Sequence, residues 1–329
     1  MRTGSLCLIV LATSLLVCAH QVPAKAKHEP LSGPTVDKEE LRAIVKELAD
    51  IAPARNSGNV AALDKAASYI KAMFTAHGYK PAEQVYVVEG REYRNVVASI
   101  GPEAAPRFIV GAHYDVAGDQ PGADDNASGI AGLLVLARLF KQHEQALNKR
   151  IDFVAFTLEE PPFFRTRMMG SYVHAKSLRD SSADVLGMVA LEMIGFFSDQ
   201  PRSQDYPLPF MNLFYPSRGD FIGIVGNYSS SWLLAHFKKA MERTPMGVET
   251  LRAPALAVNV HLSDHINYWK FGYPAIMITD TSFYRNPHYH TSSDTLETLD
   301  FERMAEVVKG LYWSILGLSA RDVNRAPSP

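Results

Sequence analysis

The stretch from Arg107 to Phe140, RFIVGAHYDVAGDQPGADDNASGIAGLLVLARLF, constrains the fold of this chain more than any other. Phe108 to Ala112 are apolar and partly β-branched, and they run directly into His113-Tyr114-Asp115. This pattern predicts a buried strand that ends on a histidine and a carboxylate. Gly118, Pro121 and Gly122 then force a loop, which closes on Asp124-Asp125-Asn126. From Ala127 onward, Ile130, Leu133, Leu134, Ala137 and Leu139 return at near-helical spacing, so a strand, a polar loop and a helix follow one another. In an open α/β sheet, ligands bind in the crevice outside the carboxyl ends of the strands, and a histidine and three acidic side chains meet at such an end here.

With 329 residues, 47% of them hydrophobic, the chain has enough apolar material for one large α/β domain. Its formal net charge is -2, and no run of lysines or arginines is interleaved with aromatics. This argues against a nucleic-acid partner and against a polybasic membrane patch. Met1 to Ala19, MRTGSLCLIVLATSLLVCA, has one arginine, an apolar and small-residue run, and small-residue cleavage points after Ala19 or Ala26. That is the form of a secretory signal, which places the mature protein outside the cytoplasm, secreted or periplasmic. The run is shorter than the ~20 residues of a spanning helix, so membrane association is expected only if the segment is retained. Both cysteines, Cys7 and Cys18, fall inside it, leaving the mature domain without a disulfide. The chain thus divides into a signal and processing region at 1–26, a disordered lead-in at 27–35, one folded domain at 36–320 and a tail at 321–329.

Within the domain, Asp37 followed by Glu40 has the form of a capping box ahead of Leu41, Ile44, Val45 and Leu48 on one helical face. A second helix is predicted over Val60 to His77 with Gly78 as its stop, then short strands near Gln84 to Val88 and Arg94 to Ser99. A buried strand is expected over Arg150 to Glu160, RIDFVAFTLEE, ending on Glu159-Glu160, and another over Val185 to Ile194 carrying Glu192. A glutamate in a buried strand must be paired or bound to metal. Ser198 to Asp220 is proline-rich and aperiodic, a long irregular insertion. Strands at Phe221 to Val225 and Tyr273 to Ile278, a helix near Ser230 to Arg243 and a closing helix over Phe301 to Leu318 complete the pattern, with His288 and His290 in a loop before the last helix. Together His113, Asp125, Glu160, Glu192 and His290 offer two imidazoles and three carboxylates, a set that suits zinc or another borderline divalent ion.

The blocks GAHYD, PGADDNASG, FTLEE, LEMIG, SDH with GYPAIM, and YHTSSDTLE occur in that order, and together they resemble the secreted co-catalytic di-zinc aminopeptidases. Those enzymes are related to glutamate carboxypeptidase, the transferrin receptor ectodomain and glutaminyl cyclases, and the resemblance covers about Glu40 to Leu318. It implies an α/β fold of the zinc exopeptidase (aminopeptidase/phosphorylase-like) type, with a mixed, mostly parallel sheet flanked by helices on both faces. It further implies two zinc ions per chain, His113 and Glu192 on one, Glu160 and His290 on the other, and Asp125 bridging. Glu159 becomes the general base acting on a water bridged by the two metals. Asp115 matches the family carboxylate that hydrogen-bonds the ligand histidine, and Asp124 is a loop neighbour. Tyr289 matches a tyrosine that some relatives use to stabilise the oxyanion, against a packing role, and Asp264 and His265 recur near the site without being ligands. Glu192 departs from the aspartate found in many of these aminopeptidases and reaches one methylene further.

The implied activity is hydrolysis of amino-terminal peptide bonds in peptides with a free amino terminus. A glutaminyl-peptide cyclotransferase on the same scaffold is the alternative, and a non-catalytic binding ectodomain a third reading.

Overall fold

The computed structural model describes residues 33–254 and 260–320. The signal region, most of the lead-in and the tail at 321–329 therefore lie outside the described residues. Helix α1 (Lys38–Ala49) begins where the Asp37 side chain accepts the Glu39 N–H at 2.9 Å. The reciprocal half of the expected capping box is missing, because Glu40 turns to Arg138 and accepts two of its N–H groups at 2.8 and 2.7 Å. Helix α2 (Val60–Ala76) buries Ala66, Ile70 and Phe74, and stops before Gly78 at φ +85°. Strands β1 (Ala82–Val88) and β2 (Arg91–Ile100) form an antiparallel hairpin whose turn residues Glu89 and Gly90 both take positive φ.

The organising stretch gives β3 (Arg107–His113) and α3 (Gly129–Gln142), joined by an irregular turn at Ala123–Ser128. Then come β4 (Arg150–Phe156), α4 (Gly170–Asp180), β5 (Val185–Glu192), β6 (Phe221–Gly226), α5 (Ser231–Met241) and β7 (Gly247–Arg252). Helix α6 (His265–Lys270), β8 (Ala275–Thr279) and α7 (Phe301–Ser319) follow. Two expectations shift: β4 ends at Phe156, so Glu159 and Glu160 sit beyond the strand, and Glu192 is the last residue of β5. The insertion after β5 carries one short 3₁₀ turn, Pro209–Leu213. Strand β7 was not foreseen, because GVETLR has few apolar residues to mark its alternation and lies at the sheet's edge.

The eight strands form one sheet in the order β1-β2-β4-β3-β5-β8-β6-β7. The central four, β4, β3, β5 and β8, are parallel, whereas β2 and β6 flank them antiparallel. From β3 the chain crosses to β4 on one side and then from β4 to β5 on the other, and right-handed crossovers put α3 and α4 on opposite faces. The larger core packs α1, α2, α3, α5 and α7 against one face, and a smaller core packs α4 and α6 against the other. Among the described residues no helix is long and apolar enough to cross a membrane.

Candidate metal centre

Every predicted ligand lies at the carboxyl ends of the parallel quartet. His113 closes β3, Glu192 closes β5, Glu160 follows β4, Asp125 lies in the turn after β3, and His290 lies in the loop after β8. The structure brings all five together. His113 Nε2 stands 3.4 Å from Asp125 Oδ1 and 3.4 Å from Glu192 Oε2, while His290 Nε2 stands 3.1 Å from Asp125 Oδ2 and 3.3 Å from Glu160 Oε1. Asp125 thus turns one oxygen toward each histidine. Two triads result, His113–Asp125–Glu192 and Asp125–Glu160–His290, each with ligand atoms within 4.8 Å of one another. His113, Glu159 and Glu160 also satisfy that spacing, and Glu159 Oε2 lies 3.9 Å from His113 Nε2.

The chemistry of these atoms fits a cation. Asp125 Oδ1, Glu160 Oε1 and His290 Nε2 are buried without a hydrogen-bond partner, which is costly unless something else engages them. Burial pushes Glu160 up to about 8, with the Asp125 charge adding to the effect, and burial also raises Glu159 well above the usual carboxylate range. For Asp125, burial is outweighed by the two imidazoles, which hold it well below that range. Burial likewise opposes, but does not prevent, the rise of His290 to about 10 through its contacts with Asp125 and Glu160. A divalent ion would take the place of the protons that Glu160 and His290 otherwise retain.

Main-chain hydrogen bonds fix the ligands. Asp115 spans the consecutive N–H groups of Glu159 and Glu160, accepting them at 3.2 and 3.1 Å on separate oxygens. Toward the histidine, the Asp115 carboxylate lies 3.6 Å from His113 Nδ1, and the Asp115 main-chain carbonyl lies closer, at 3.1 Å. With Nδ1 donating to that carbonyl, Nε2 keeps its lone pair for a cation. Asp294 plays the matching part on the other side, accepting the N–H groups of Asp124 and Asp125 at 2.8 and 3.0 Å.

The Asp124–Gly129 turn is also stitched to the end of β5. Asp124 Oδ1 accepts the Gly195 N–H, and Asn126 Oδ1 accepts those of Gly129 and Met193 while its amide donates to the Leu191 carbonyl. Asp124 is accordingly a structural neighbour. At Gly122, φ is +60° and a Cβ would lie 2.3 Å from the Asp125 carbonyl oxygen, so the turn requires glycine. The buried Arg55 guanidinium donates to the carbonyls of Leu48, Tyr114, Pro121 and Gly122, locking the loop that leads to Asp125. Ser263 Oγ donates to Glu192 Oε2 at 2.6 Å and steers the longer side chain.

Sequence reasoning missed Asp294, Arg55 and Ser263. Asp294 lies four residues beyond His290 inside a block already singled out; Arg55 left no local signal, since its partners are backbone carbonyls. Tyr289 stacks on His290 with centroids 3.7 Å apart and an interplanar angle of 17°. Asp264 is buried, with burial pushing it up to about 7. His265 turns to the Val260 carbonyl at 2.9 Å.

The candidate ligands lie at one end of a cleft whose walls come from β6, β7, β8 and the insertion after β5. The profile of peptidase family M28 matches residues 95–312. Protein YfbL of Escherichia coli (strain K12), named as uncharacterized, is 44% identical over 282 residues, covering 83% of this chain and 86% of the relative. The chain belongs to peptidase family M28. Leucine aminopeptidase 1 of Ajellomyces dermatitidis is 22% identical over 227 residues, 65% of this M28 chain and 53% of the relative, so the chain spans about half the length of that enzyme.

The fold is shared with BSAP, a zinc aminopeptidase from Bacillus subtilis, at a TM-score of 0.70 and 13% identity over 88% of this chain and 97% of the other. It is also shared with Porphyromonas gingivalis glutaminyl cyclase at a TM-score of 0.66 and 20% identity over 86% and 98%. As a member of peptidase family M28 the protein is a peptidase, a hydrolase of peptide bonds.

Proposed function

We infer that the protein is an extracytoplasmic aminopeptidase that binds two zinc ions and releases residues from peptides with a free amino terminus. The observation that carries this reading is the split of Asp125, one oxygen toward His113 with Glu192 and the other toward His290 with Glu160. Ions held there would supply an activated water and polarise the scissile carbonyl.

The remaining work belongs to the chain. Glu159 is engaged through its main-chain N–H by Asp115, and its carboxylate faces the cluster, where it can take the proton of the attacking water and pass it to the leaving amine. Tyr289, packed on His290 and lining the cleft, would hydrogen-bond developing negative charge on the substrate oxygen. Export is supported by the signal-like segment at the amino terminus.

Assay of aminoacyl amides beside their amino-blocked counterparts, with and without chelator, tests the reading, together with metal analysis. Cleavage confined to free amino termini, lost with chelator, at close to two ions per chain is the expected result. Action on blocked termini alone would overturn it. One ion per chain with cyclisation of amino-terminal glutamine would instead select the glutaminyl cyclase reading.

A further inference from the structure

A straight row of residues runs across the sheet from the metal centre. In register, Glu192 of β5 is opposite Thr279 of β8, Thr279 is opposite Gly223 of β6, and Gly223 is opposite Glu249 of β7. All four line the cleft. Paired residues on neighbouring strands point to the same face, so the row traces the cleft floor, and three strand spacings put Glu249 about 14 Å from Glu192. Gly223 contributes no side chain, leaving the floor between Thr279 and Glu249 open.

The far end of this floor has an apolar and aromatic wall, and the carboxylate of Glu249 stands there; exposed Asp205 also lines the cleft. Tyr206 and Tyr215 stand with ring centroids 5.5 Å apart, and Phe221 and Leu251 line the same space. Both tyrosine hydroxyls are committed as donors elsewhere, Tyr206 to the Pro216 carbonyl at 2.6 Å and Tyr215 to the Thr250 carbonyl at 3.0 Å. Among the described residues no cation lies within ion-pair distance of Glu249. Arg285 donates to Gln204 and to the Phe221 carbonyl, and its guanidinium lies 4.5 Å from the centroid of the Phe221 ring, on which it is held. A carboxylate without a donor at the end of an aromatic-walled slot matches one chemistry: a long apolar stem with a cationic head, which the carboxylate pairs and the rings hold by cation–π contact.

We propose that Glu249 selects arginine or lysine as the amino-terminal residue of the substrate, its side chain lying over Thr279 and Gly223. This rests on the aminopeptidase reading, which puts the scissile bond at the ligand end of the row. The α-amino group of the substrate stays at that end, too far away to be what Glu249 binds.

The test compares lysyl, arginyl and norleucyl amides on the zinc-loaded enzyme, since norleucine keeps the stem of lysine and lacks its charge. The lysyl-to-norleucyl ratio of kcat/KM should be about tenfold or more, and Glu249→Gln should bring it down by about tenfold. Gly223→Val, which sets a branched side chain on the floor, should depress lysyl turnover relative to alanyl turnover. A wild-type enzyme that favours norleucyl, or a Glu249→Gln ratio equal to wild type, overturns the proposal. If no amide is cleaved, the aminopeptidase reading falls by itself. The slot is then judged by calorimetry with lysinamide and norleucinamide, where equal binding to the wild-type protein overturns it.

Discussion

The carboxylate of Asp294 accepts the main-chain N–H of Asp125 at 3.0 Å, so the one residue that faces both histidines is held from behind by another acid. Outer partners of this kind set ligand geometry, and their removal commonly costs about 10- to 100-fold in metal affinity. Asp294→Ala should therefore weaken zinc retention by that order in a chelator competition. Zinc affinity equal to wild type would remove Asp294 from any positioning role.

The adjacent glutamates should separate by variant. Glu159→Gln keeps shape and removes basicity, so metal content should stay near normal while the rate falls by ~10²-fold or more. Glu160→Gln should lose metal and thermal stability together with activity. A metal-free Glu159→Gln protein beside a fully metallated, inactive Glu160→Gln protein would show that the roles are exchanged.

The two halves of the centre differ in access. The His113 side chain is 0% exposed and that of His290 is 29% exposed. On titration with chelator the His290 half should release its ion first, and His290→Ala should leave one ion per chain. Simultaneous loss of both ions, or residual occupancy at the His290 side, would contradict this order.

Acid stability has a separate source. His174 is buried, shares a 2.7 Å hydrogen bond with the Tyr268 hydroxyl, and is pulled by burial from 6.5 to about 4. The unfolded chain therefore binds a proton between those values while the folded chain does not. Stability should be full above pH 6.5 and decline as pH falls toward 4, with a slope of up to about 1.4 kcal/mol per pH unit from this group. Buried His265, also drawn down to about 4, adds in the same direction. Denaturant midpoints measured from pH 7 to 4.5 should fall more steeply for wild type than for His174→Gln, and identical slopes would refute the assignment.

Most of the sheet was legible because its central strands are buried on both faces and read as continuous apolar runs, as at Phe108 to Ala112. The clustered candidate ligands stood out for a related reason: charged groups such as Glu192 are conspicuous where an apolar run ends. β7 was hidden because an edge strand need not be apolar, and Glu249 on it had no visible purpose until register aligned it with Gly223. The supporting partner Asp294 was illegible in a different way. It acts on main-chain N–H groups, and such groups leave no mark on the side chains that neighbour them in sequence.

No disulfide ties the described residues together, for Cys7 and Cys18 both precede them. The proposed centre draws its ligands from five separate segments between the end of β3 and the loop after β8. Ions bound there would act on the chain as staples, closing long loops whose ends are otherwise free to separate. Zinc starvation would then do more than stop turnover. It would release the staples as well, so metal supply would govern how long each molecule survives among other proteases, not only how fast it works.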